Sequence, residues 1–203
     1  MDFEERENLF KVRKTVLEML EDRNYIIPES EKINFDDFSL KYKNKNFDIF
    51  IDNTDKNSLN GKVYVYFNQD KIFRKQNLKD LLNKLIETYN DENIKVIILL
   101  KEKGTVTLVK ESNKETYKNV ELFLNKNMLY NITHHEFVPK HIVLNEQEIE
   151  EVLDKYSTTL NKLPKILKTD PIAKYYGVKP NQVFKIIRNS PEVGYYLYYR
   201  LVK

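Results

Sequence analysis

Apolar residues recur every three to four positions over residues 5–23. Leu9, Val12, Val16, Leu17 and Leu20 stand on one side, with Arg, Lys and Glu between them. That spacing predicts an amphipathic helix, and Pro28 bars its continuation. FDDFSLKY (35–42) reads as a second, short helix. The period then drops to two. In FDIFID (47–52) Phe47, Ile49 and Ile51 share a face, and KVYVYF (62–67) mixes valine with aromatics, so both read as strands. Residues 77–89 return to helical spacing, with Asn77 placed as N-cap and Leu78, Leu81, Leu82, Leu85 and Ile86 as one stripe. IKVIILL (94–100) is apolar throughout, the mark of a central strand covered on both faces. Gly104 predicts a turn into the β-like run TVTLV (105–109), and VELFL (120–124) adds a further strand. Helices interleaved with strands predict an α/β layer structure ending near residue 130.

The second half has a different texture. FVPKHIVL (137–144) is extended, with Pro139 excluding a helix interior. Asn145 caps a helix that reaches about Tyr156, and Glu148 stands at the capping-box position. Ile149, Val152 and Leu153 form its inward face. LPKIL (163–167) reads as a connector. TDPIAKYYG (169–177) is a short helix with both ends encoded: Asp170 caps, Pro171 opens the first turn, and Gly177 supplies the left-handed stop. VKPNQV (178–183) is a turn in which Asn181 tolerates positive φ. VFKIIR and YYLYYRLV are strands around a turn at NSPEVG (189–194). The expected fold class is thus α/β (α+β): a mixed α/β domain over 1–130 and a small α+β domain over 131–203.

Composition narrows the function classes. The chain has 203 residues, 41% hydrophobic and 32% charged, with four glycines and six prolines. That suits a folded chain with a real core. No apolar run approaches the length of a membrane span. The opening MDFEERENLF lacks the basic-then-apolar pattern of a signal peptide. With no cysteine there is no disulfide, no cysteine zinc site and no thiol nucleophile, which fits an intracellular setting. Charge is unevenly spread. From Lys155 to Lys203 ten lysines and arginines face two acids, a net of +8, so the remainder sums to −5 against the overall +3. Such a tail fits a polyanion or an acidic protein surface, or equally a solvated lysine-rich face.

The candidate chemistry is thin. NITHHEFVPKH (131–141) holds all three histidines, His134, His135 and His141. The first two are adjacent, so on a strand they point to opposite faces. His141 lies beyond a proline, and no helical H-x-x-x-H spacing occurs. No metal or other cofactor is expected. Asp48, Asp52 and Asp55 beside a strand, with Lys101, Glu102 and Lys103 after another, sketch a metal-dependent nuclease. Against it, adjacent Glu and Lys on a strand would point apart. No G-x-S-x-G elbow and no glycine-rich phosphate loop is present. The alternative function is a free-standing nucleic-acid-binding protein or nuclease on such a fold.

Taken together, the words H-x-x-V-P-K-H, L-P-K-I, D-P-I-A-x-Y-Y-G, V-x-K-I-x-R and Y-x-x-Y-R, in that order over 131–203, resemble the fifth-largest subunit shared by eukaryotic nuclear RNA polymerases. The archaeal counterpart in that family corresponds to this C-terminal part alone. RKTVLEMLEDRNYII, FDDFSLKY and VELFLNKNMLYNITHHE extend the resemblance over the whole chain. It implies a non-catalytic subunit of a multi-subunit DNA-directed RNA polymerase. Residues 1–130 would form a jaw near downstream duplex DNA, and 131–203 an assembly domain on the largest subunit. It assigns the subunit interface to His141, Leu163, Pro164, Lys165, Asp170, Pro171, Tyr175, Gly177, Arg188 and Arg200. It puts Lys101, Lys103 and Lys110 near DNA. It implies a nuclear location, or a virion or viral factory if the chain comes from a large DNA virus. Two departures stand out. LLKEKGTVTLVK lacks the family's proline at the jaw tip, and Asn181 stands where the family often has glycine.

Overall fold

The computed structural model describes residues 3–43, 47–53, 61–91, 93–112, 114–190 and 194–203. The chain divides into two compact units, Met1–Tyr130 and Asn131–Lys203.

In the first unit, strands β1 (Ile49–Asp52), β2 (Lys62–Phe67), β3 (Lys95–Leu100) and β4 (Val120–Leu124) form one sheet in sequence order. β1 runs antiparallel to β2, while β2, β3 and β4 are parallel. Parallel neighbours need crossovers. Helix α3 (Lys75–Tyr89) supplies the first and α4 (Val106–Ser112) the second. They cover one face of the sheet: Leu78 and Leu85 of α3 and Leu108 of α4 pack with Val96, Ile98, Leu100 and Val120. Helix α1 (Phe3–Asp22) buries Leu9, Val12, Val16, Met19 and Leu20, and α2 (Phe35–Lys43) follows it. β3 is buried at all five positions from Val96 to Leu100, as its unbroken apolar run predicts. Among the described residues no helix is long and apolar enough to cross a membrane.

Two local expectations are corrected. TVTLV is helical, not β-like. Thr105 Oγ1 accepts from Leu108 N at 3.2 Å and Thr105 O from Val109 N at 3.1 Å, closing a first turn. Fully buried Leu108 then anchors the turn, so tertiary packing overrides the β-branched propensity. Gly104 serves that packing: a Cβ there would stand 2.8 Å from Leu108 Cδ2. Helix α3 begins before Asn77. Arg74 is the N-cap, and Asn77 Oδ1 accepts from Arg74 N at 3.0 Å from the third helical position.

The second unit is a four-stranded sheet in the order β5-β7-β8-β6, with β5 (Lys140–Val143), β6 (Lys165–Ile166), β7 (Val183–Ser190) and β8 (Gly194–Val202). LPKIL is therefore not merely a connector, because Lys165 and Ile166 pair parallel with Leu201 and Val202. Alternation along the strands gives each face its own small core. On one, Phe184, Ile186, Val202 and Ile166 pack with Ala173 of helix α6 (Pro171–Tyr176). On the other, Val183 and Leu201 pack with Leu144, Leu160 and Leu163, and with Ile149 and Val152 of helix α5 (Glu146–Lys155). The Asn145 cap forms as the sequence predicts: its side chain accepts from Glu148 N at 2.9 Å, and Glu148 Oε2 from Asn145 N at 2.8 Å.

Candidate functional surfaces

The residues expected at a subunit interface fall on both faces of the second sheet. His141, Arg188 and Arg200 project to the α6 side. His141 lies opposite Ile186, and Arg200 lies opposite Phe184. Leu163 packs with the core on the α5 side, and Lys165, opposite Leu201, projects that way too. The Pro164 carbonyl accepts from Leu201 N at 2.8 Å.

The α6 side is built by its caps. Asp170 Oδ1 accepts from Ile172 N at 2.9 Å, Pro171 occupies the first turn, and Gly177 adopts φ 62°, ψ 31°. Tyr175 is buried within α6, and its hydroxyl accepts from Asn131 Nδ2 at 3.0 Å. Asn131 also accepts from Thr133 N at 3.0 Å, which caps the short turn Ile132–His134. His134 thus sits in that turn, and neither it nor His135 lies on a strand. His141 packs edge-on to Phe184, and its Nδ1–H donates to Pro139 O at 2.7 Å. Burial pushes the His141 imidazole below its ordinary pKa, against the carbonyl of Pro139 and the charge of Asp170. The charge of Arg200 acts in the same direction as burial. Asn181 has φ 72°, so asparagine does keep the positive-φ turn.

The left-handed stop at Gly177 gives a direct test. A β-carbon in that region costs about 1–2 kcal/mol, and more when branched. Gly177→Val is expected to lower the unfolding midpoint clearly more than Lys179→Ala, an exposed change. Equal midpoints in denaturant melts would contradict the cap.

In the first unit the three lysines expected near DNA follow β3. Lys101 and Lys103 lie in the β3–α4 loop and Lys110 in the last turn of α4, all exposed. They are not equivalent, because Lys101 is engaged by Glu5 of α1. Exposed Val106 and Val109 share α4 with Lys110.

The nuclease sketch finds no support in this geometry. Asp48 Oδ2 accepts from the Tyr64 hydroxyl at 2.8 Å and Oδ1 from Phe67 N at 3.0 Å, so both oxygens hold the sheet together. Glu102 faces Lys71. Asp55 lies outside the described residues. Burial pushes the Asp48 carboxyl above its ordinary value of 3.8, outweighing the pull of the Phe67 N–H, Tyr64, Lys84 and Arg13. The folded state therefore binds this proton more tightly than the unfolded chain. The stability it contributes is full at low pH and fades as pH rises through the raised pKa. Relative to wild type, Asp48→Asn should gain stability as pH rises from about 4 and level off once pH has passed the raised pKa. An advantage that shrinks over that range, in denaturant melts at stepped pH, would refute the burial argument.

Comparison with known proteins now assigns the class. Residues 130–202 match the family described as "RNA polymerase Rpb5, C-terminal domain", and residues 4–85 match "RNA polymerase Rpb5, N-terminal domain". The chain belongs to the Rpb5 family of RNA polymerase subunits. It is 31% identical over 204 residues to "DNA-directed RNA polymerases I, II, and III subunit RPABC1" of Caenorhabditis elegans, covering 96% of this chain and 95% of that one. The protein of the corresponding name in Dictyostelium discoideum is also 31% identical, with 98% of each chain covered. "DNA-directed RNA polymerase subunit 5-like protein 1" of Arabidopsis thaliana is 32% identical over 94% of this chain and 93% of that one.

Sequence reasoning missed Asn131 as a structural residue. Its signal was present, an Asn two positions before a threonine N–H at a turn. It also missed the Arg23–Glu121 pair, whose members stand 98 residues apart.

Proposed function

We propose that this chain works as a non-catalytic subunit of a nuclear DNA-directed RNA polymerase. The observation that carries this is family agreement at nearly full length, through both units, with relatives described as subunits of polymerases I, II and III. Those descriptions favour the nucleus over a virion. Residues 131–203 dock on the largest subunit, using the α6 side with His141, Asp170, Pro171, Tyr175, Gly177, Arg188 and Arg200, and the β6 segment Leu163, Pro164 and Lys165. Tyr175 and Gly177 act by shaping α6, and the exposed arginines act by contact. Residues 1–130 form the jaw near downstream duplex. There Lys103 and Lys110 are the better phosphate contacts, because Lys101 already has Glu5.

Affinity purification through a tagged copy tests the assignment. A multi-subunit polymerase should be retained in stoichiometric amount, and recovery of a lone monomer overturns it. Polymerase carrying both Lys103→Glu and Lys110→Glu should hold downstream duplex more weakly. Its log–log salt slope should be shallower by about 1 for each phosphate that the variant no longer neutralises. An unchanged slope, measured by titration from low to high salt, removes these lysines from the DNA.

A further inference from the structure

The β7–β8 hairpin outruns the strands beside it. β5 meets β7 only over Phe184–Ile187, and β6 meets β8 only at Leu201 and Val202. Among the described residues, Gly194–Arg200 of β8 therefore has a paired neighbour on one side alone. The hydrogen bonds show which groups face the open side. Leu201 N donates to Pro164 O at 2.8 Å and Lys203 N to Ile166 O at 2.9 Å, whereas Val202 N donates the other way, to Gln182 O at 2.8 Å. Main-chain direction alternates along a strand. Tyr195, Leu197 and Tyr199 thus turn both N–H and C=O to the open edge. The ladder stops at Pro164 for a covalent reason. Continued in the register of Lys165 with Leu201, residue 164 would donate to Tyr199 O, and proline has no N–H to give.

An open edge of this length is a template for another strand. Charge decides which kind. β6, β7 and β8 carry Lys165, Lys185, Arg188 and Arg200 and no acid at all. None of the four is in an ion pair among the described residues. Side chains divide the hairpin further. Tyr195, Leu197 and Tyr199 line one face, and Tyr196, Tyr198 and Arg200 the other, with Arg188 opposite Tyr196. Tyr195 and Tyr198 are 66% and 46% exposed.

We propose that the outer edge of β8 takes an extended segment of a neighbouring polymerase subunit as a fifth strand. That segment carries aliphatic or aromatic side chains towards Tyr195, Leu197 and Tyr199, and carboxylates towards Arg188 and Arg200. The proposal rests on the polymerase-subunit reading and deepens it, because it names the main-chain groups that make the joint.

Hydrogen exchange tests it on the unaltered chain, free and within purified polymerase. In the free chain the amides of Tyr195, Leu197 and Tyr199 should exchange fast, while those of Tyr196, Tyr198 and Arg200, bonded to β7, exchange slowly. In polymerase the first three should slow by about tenfold or more. A variant adds a functional readout. Leu197→Pro removes one outward N–H and leaves the β7 ladder intact, as proline does on edge strands. Competing against wild type for incorporation, Leu197→Pro should fall about tenfold or more, well below Leu197→Ala. Free-chain exchange rates at the three amides inside polymerase would overturn the proposal while the subunit reading stands. Protection already present in the free chain and rising with its concentration would assign the edge to a second copy, and also overturn it. A wild-type chain that joins no polymerase removes the reading and the proposal together.

Discussion

Replacing Glu121 with alanine is expected to cost the first unit about 2–4 kcal/mol. Glu121 Oε2 accepts from Arg23 Nη2 at 2.8 Å, and Oε1 faces Lys95 Nζ at 2.9 Å. The Arg23 side chain is only 3% exposed. Removing the carboxylate takes from a buried guanidinium and a half-buried ammonium an anion that helps to offset their desolvation. Burial alone would push the Glu121 carboxyl up, but Arg23 and Lys95 more than reverse that and hold it below its ordinary 4.5. The sign follows: this carboxylate contributes stability above that value and loses it as pH falls through the depressed pKa. Arg23→Met should cost less than Glu121→Ala, because Glu121 keeps Lys95 and methionine fills the buried space. Denaturant melts at neutral pH decide it. A Glu121→Ala midpoint equal to that of wild type would show that the pair is incidental, and an acid titration in which Glu121→Ala keeps its full deficit at low pH would point the same way.

How legible all this was in the sequence depended on how local its cause was. The Asn145 capping box, the Asp170–Pro171–Gly177 frame of α6 and the positive-φ Asn181 are written within a few residues, and each forms as read. The unbroken run at β3 gave its central place. TVTLV misled because the helix there depends on Leu108 reaching a pocket beside Leu100 across Gly104, which no local pattern encodes. The start of α3 was misplaced because Asn77 does bond the helix end, but from three residues inside it. The short strand at Lys165–Ile166 was hidden because two residues carry no period. At the candidate interface, motif order named the residues, but only pairing register could divide them between two faces of one sheet. The nuclease sketch came from carboxylates near a strand. Pairing Asp48 with Tyr64 and the Phe67 amide required the β1–β2 register.

The second large effect concerns division of labour between the two units. Residues 131–203 contain both small cores, the α5 and α6 caps and the bond from Asn131 to Tyr175. A piece of about seventy residues has a marginal core, so partner binding should contribute much of its stability. Starting the fragment at residue 134 rather than 131 deletes the bond from Asn131 to α6 and should weaken it further. The decisive measurement is a pull-down with the largest polymerase subunit as bait, using 131–203, 1–130 and the full chain. The expected result is retention of the full chain and of 131–203, with 1–130 left in the flow-through. Retention of 1–130 with loss of a folded 131–203 would contradict the assignment of assembly to the C-terminal unit.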